Sequence, residues 1–94
     1  MKATINGKRY DTDKCYTLAE FDHRNNGNYS GTTSLIEASN GTLLVHVDSN
    51  GQDCWLQDCL FAWDSPDHYL TIDSFDTIKD EERLVELGLL EVVA

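Results

Sequence analysis

Thr33-Ser34-Leu35-Ile36-Glu37-Ala38 and Thr42-Leu43-Leu44-Val45-His46-Val47 flank the dipeptide Asn40-Gly41. Asn and Gly both tolerate positive φ, which the two central residues of a type I′ turn require, so Asn-Gly between such runs signals a β-hairpin. In the second run Leu43, Val45 and Val47 alternate with Leu44, His46 and Asp48, which predicts a core face and a mixed face. The same dipeptide recurs at Asn6-Gly7, Asn26-Gly27 and Asn50-Gly51. Around the first, Ala3-Thr4-Ile5 and Lys8-Arg9-Tyr10 are expected to pair as a short hairpin. Cys15 to Asp22 reads as another strand, with Tyr16 and Leu18 opposed to Thr17, Ala19 and Phe21. Residues 24–30 read as a polar loop or long hairpin tip. The first half of the chain is therefore expected to be an antiparallel meander.

The second half carries mixed periodicities. Between Asp53 and Trp63, the pair Trp55/Cys59 and the set Leu56, Leu60 and Trp63 fit an amphipathic helix capped by Asp53. The run is short enough that a strand also fits it. Pro66 closes the segment, and alternation over His68 to Asp73 predicts a strand. A C-terminal helix is expected over 78–87, with Thr77 as N-cap, Asp80, Glu81 and Glu82 in the first turns, and Gly88 just beyond its end. Ile78, Leu84, Val85 and Leu87 are its expected core contacts, and Leu89–Val93 reads as a last strand. The expected fold class is α+β: an antiparallel β-sheet meander with one or two short helices. A length of 94 residues suits one domain, 1–94, with a single modest core.

Charge narrows the function. The formal net charge is −10, and it is unevenly distributed. Residues 1–30 sum to +1 and residues 31–94 to −11, and no Lys or Arg occurs from Asn25 through Ile78. Glu37, Asp48, Asp53, Asp58, Asp64, Asp67, Asp73 and Asp76 stand in that stretch. Such a balance excludes most nucleic-acid binders, which displace phosphate counterions with Lys and Arg, and disfavours anionic membranes. Solubility alone explains charges of magnitude ~2–8 in a small domain. Crowded carboxylates repel one another and destabilise the compact state, so these eight positions are the candidate contact set for a basic partner. Carboxylates accept hydrogen bonds from Arg and Lys much as phosphates do. An acidic surface can thereby occupy the basic, nucleic-acid-binding groove of another protein. No apolar run approaches a membrane span, and Met1 leads directly into a polar strand pattern, so a cytoplasmic location is expected.

Catalytic and metal chemistry find little support. Cys15, Cys54 and Cys59 make an odd set that reads as small buried hydrophobes rather than a disulfide framework. His46 reads as a sheet residue. His68 stands beside Asp67, but neighbours on a strand point to opposite faces, which is poor placement for a base and its orienting carboxylate. Asp48-Ser49-Asn50-Gly51-Gln52-Asp53 is oxygen-rich but lacks the twelfth-position Glu of an EF-hand, leaving calcium a minor alternative. There is no Walker loop, dinucleotide fingerprint or nucleophile elbow. No cofactor and no enzymatic activity are expected.

The opening Ile5-Asn6-Gly7-Lys8-Arg9-Tyr10-Asp11-Thr12-Asp13 resembles that of small proteins of bacterial phages and mobile elements. These begin with an I-N-G-K-x-Y-[DN]-T-[DE] strand-turn-strand, continue as a meander and finish with an acidic helix. Together with size and acidity, the chain resembles an anti-CRISPR protein, a class in which several members block the nucleic-acid site of a Cas complex. The resemblance implies a Cas protein or Cascade-type complex as partner, in the host bacterial cytoplasm. It carries over no functional residue. A generic acidic interaction module of a mobile element, antitoxin-like or regulatory, is the alternative. Monomer and homodimer both stay open, since the edges of an open meander can pair two copies.

Overall fold

The computed structural model describes residues 1–25, 27–49, 58–66 and 68–93. Strands β1 (Lys2–Ile5) and β2 (Lys8–Asp11) form a two-stranded sheet. Strands β3 (Tyr16–Asn25), β4 (Asn28–Glu37), β5 (Leu43–Asp48), β6 (Cys59–Ala62) and β7 (Thr77–Ile78) form a five-stranded antiparallel sheet of order β6-β5-β4-β3-β7. One short helix, α1 (Glu81–Glu86), follows, and 3-10 turns lie at Thr12–Lys14 and Ile72–Ser74. This is the expected α+β meander.

The turns show why the meander forms. Asn6 (φ 51) and Gly7 (φ 77) both take positive φ between the paired Ile5 and Lys8, as a type I′ turn requires. At Asn40-Gly41 the structure departs from that expectation. Only Gly41 is left-handed (φ 87), and its N–H donates to the carbonyl of Ala38. This is a type I turn closed by a left-handed glycine, the usual three-residue hairpin loop. Asn40 serves it through its side chain, whose Oδ1 accepts from the N–H of Thr42 at 3.1 Å. Asn50-Gly51 lies outside the described residues. Strands β3 and β4 pair from Asn25↔Asn28 downward, so of the two readings of residues 24–30, loop or long hairpin tip, the hairpin tip holds.

Each face of the main sheet has its own core. Leu18, Ala19 and Leu35 on one face pack with Phe75 and Leu84, and Leu43, Trp63, Ile72, Leu87, Leu89 and Leu90 surround them. On the other face the β1–β2 hairpin covers one end, packing Tyr10 on Ile36, Ala38 and Leu44. Leu44, expected on a mixed face, is therefore fully buried. A register shift between Thr17 and Ala19 marks a β-bulge. The bulge corrects the simple alternation read over Cys15–Asp22. It turns Leu18 and Ala19 both into the core, and the carbonyl of Leu18 accepts from Lys79 and Asp80.

In the second half one open reading is decided and three expectations change. Residues 59–62 form strand β6 against β5, in register Val45↔Phe61, so of the helix and strand readings the strand holds here, while Asp53 and Trp55 lie outside the described residues. His68–Asp73 is not a strand. His68 Nε2–H donates to the carbonyl of Trp63 at 2.5 Å, and its Nδ1 accepts from Leu70 N–H at 3.1 Å. These bonds, with ring contacts to Phe61 and Trp63, fold the segment across the sheet face instead of along its edge. Helix α1 starts at Glu81 because Asp80, not Thr77, is its cap: Asp80 Oδ1 accepts from Arg83 N–H at 3.0 Å. Thr77 and Ile78 are drawn instead into pairing with Glu20 and Ala19, which leaves Ile78 40% exposed. The helix ends as expected at Gly88 (φ 76), where Leu89 N–H reaches the carbonyl of Leu84 and Gly88 N–H that of Val85. Among the described residues no strand follows; Leu89 and Leu90 join the core.

Candidate acidic interface

Among the described residues, the hairpin covers one end of its sheet face. At the other end, directly opposed residues share a face across adjacent strands. The register pairs Asp22 with Thr32 and Thr32 with Asp48, placing Asp22, Thr32 and Asp48 in one row across β3, β4 and β5. Pairing of Val47 with Cys59 brings Asp58, just before β6, into line with Asp48. At a strand spacing of ~4.8 Å this row spans roughly 14 Å. Asp22, Asp48 and Asp58 are all exposed. A second row holds Glu20, Ser34, His46 and Leu60.

Local bonds set the posture of these acids. Thr32 Oγ1 donates to Asp22 Oδ1 at 3.0 Å, and Tyr29 OH lies 2.7 Å from Thr32 Oγ1. Arg24 approaches Asp22 at 3.7 Å, and Lys79 pairs with Glu20 at 3.3 Å. Asp58 Oδ1 accepts the backbone N–H of Ser49 at 2.7 Å. That bond holds the Asp58 carboxyl below the usual carboxylate range, and nearby His46 acts in the same direction.

The structure thus brings together Asp48 and Asp58 of the eight sequence-derived positions and adds Glu20 and Asp22, which sequence reasoning left in the charge-balanced first third. Hydrogen-bonded register is the signal that would have found them. Glu37 lies on the opposite face. Its side chain is 11% exposed and receives Arg83 Nε at 2.9 Å and a second guanidinium nitrogen at 2.5 Å. These bonds push the Glu37 carboxyl down despite its burial. Asp64 is exposed in the turn after β6, Asp73 in the 3-10 turn, and Asp76 before β7, where it accepts from Thr77 Oγ1 at 3.0 Å. Asp53 and Asp67 lie outside the described residues.

Chemically, the open face offers hydrogen-bond acceptors and negative charge. Among the described residues no three His, Cys, Asp or Glu side chains gather as a metal ion requires. Cys15 and Cys59 are free, half-buried thiols, and burial foremost raises both above the usual thiol range. No helix of the described residues is long and apolar enough to cross a membrane. Comparison with protein-family models, with curated proteins and with solved structures finds no match for this chain.

Proposed function

We propose that this protein is a non-enzymatic inhibitor that presents its open sheet face to a basic, nucleic-acid-binding groove of a host protein. A CRISPR–Cas effector or surveillance complex in the bacterial cytoplasm is the partner that the opening motif suggests. The row of Asp22, Asp48 and Asp58 carries the reading, because a rigid sheet holds exposed carboxylates at fixed spacing where Arg and Lys side chains can meet them. Expression in hosts of different CRISPR types should restore phage plaquing in one of them, and the doubly reversed Asp22→Lys/Asp48→Lys protein should lose that rescue while keeping its fold. Binding should compete with nucleic acid and weaken with salt. Absence of rescue in every type, or full rescue by the reversed protein, defeats the proposal.

A second reading, a generic interaction module, draws on exposed apolar side chains instead. Tyr69 is 96% exposed, and Val92 and Val93 are 70% and 88% exposed. A partner held through these apolar groups would bind almost independently of salt and would be lost on Tyr69→Ser.

A further inference from the structure

Acids outnumber Lys and Arg by 17 to 7, so a cation here meets carboxylates on most sides. Arg24, Lys79 and Arg83 are indeed ion-paired. Yet Lys2, Arg9 and Lys14 have no carboxylate within ion-pair distance among the described residues, and all three line one cavity of about 360 Å³. Hairpin register explains the convergence: Lys2 opposes Asp11 and Arg9 opposes Thr4, so Lys2 and Arg9 share one face, and the 3-10 turn that follows β2 brings Lys14 alongside. Asp11 is the one carboxylate in the lining, and its Oδ1 accepts Asp13 N–H at 3.1 Å, capping that turn. The lining therefore keeps an excess of two positive charges. Tyr10 and Ala38 border the cavity as nearly buried residues, Tyr10 turning its ring to the hairpin's inner face, where its hydroxyl is anchored between Thr42 and Asn40.

We infer that this cavity binds a phosphomonoester, with the phosphate among Lys2, Arg9 and Lys14. The charge excess matches the −1.5 to −2 of a phosphomonoester near pH 7. The planar fork of Arg9 supplies paired donors of the kind that phosphate oxygens accept. The volume lies at the small end of ligand sites, about 300 to 1,000 Å³. This site is independent of the acidic sheet face.

Phenyl phosphate and inorganic phosphate are the probes, titrated at constant ionic strength with chloride as control and followed by amide shifts of Asp11–Cys15 in NMR spectra. Saturable binding of phenyl phosphate, weakened about tenfold by Arg9→Gln and by Lys14→Gln and unchanged in Lys79→Gln, is the expected result. Arg9→Lys should weaken it by a smaller factor. Circular dichroism verifies that each variant is folded. Tighter binding of phenyl phosphate than of inorganic phosphate supports the ester; equal binding overturns it in favour of the free ion. Shifts that do not saturate, that chloride reproduces, or that survive both cleft variants overturn the site altogether.

Discussion

Glu37 sits in a strand whose neighbours Leu35 and Ile36 are buried, and Arg83 holds both its carboxylate oxygens from 46 residues away. Replacing it with Gln keeps the shape and loses the charge. Urea unfolding at pH 7 should show a loss of about 1–2 kcal/mol, at the lower end for charged hydrogen bonds because the arginine is partly solvated. Since the folded carboxyl titrates below its unfolded value, the pair's contribution is present above about pH 4.3 and disappears as pH falls through the folded value. The gap between wild type and Glu37→Gln should therefore close on acidification. Gly88→Ala tests a different cost. A methyl group there meets nothing within 4 Å, so a loss of about 1 kcal/mol on Gly88→Ala would come from the left-handed backbone alone. Gly88 was legible from the sequence because its reason is local. The burial of Glu37 was not, because its partner lies far along the chain.

Helix α1 is six residues long, too short to persist in isolation, and it is held by the fully buried Leu84. Leu84→Ala should destabilise the protein by about 2–4 kcal/mol in thermal or urea unfolding, with the helix detached from β3. The hairpins at Asn6-Gly7 and Asn40-Gly41 were readable beforehand, since a turn dipeptide and two flanking runs define a hairpin without outside help. Strand β6 was ambiguous because Cys59, Leu60, Phe61 and Ala62 are apolar throughout, and periodicity does not separate a short buried strand from a helix. Segment 68–80 resisted reading for another reason. Its path depends on the His68 ring, on the bond from Tyr16 OH to Asp80 Oδ2 at 2.9 Å, and on pairing of Thr77 with Glu20, all set by tertiary placement.

Across the whole molecule, a net charge of −10 makes self-repulsion the standing electrostatic term. Sodium chloride raised from 10 to 300 mM should therefore increase the melting temperature by a few degrees, since the Debye length falls from about 30 Å to under 8 Å. An unchanged or lower melting temperature would show that local ion pairs outweigh the repulsion. The uneven charge along the chain was visible in the sequence, but which acids share a face depended on register. Strands β3, β4 and β5 pair with their immediate successors, whereas β7 reaches back to β3 by two residues at the sheet's edge. Loop-closure entropy then orders events in time: the successive hairpins close first, and the segment from β7 through α1 docks on a sheet already made. In stopped-flow kinetics Leu84→Ala should accelerate unfolding and leave the refolding rate nearly unchanged. The protein's lifetime in the folded state would thus be governed by its last-arriving segment, while its speed of folding belongs to the hairpins.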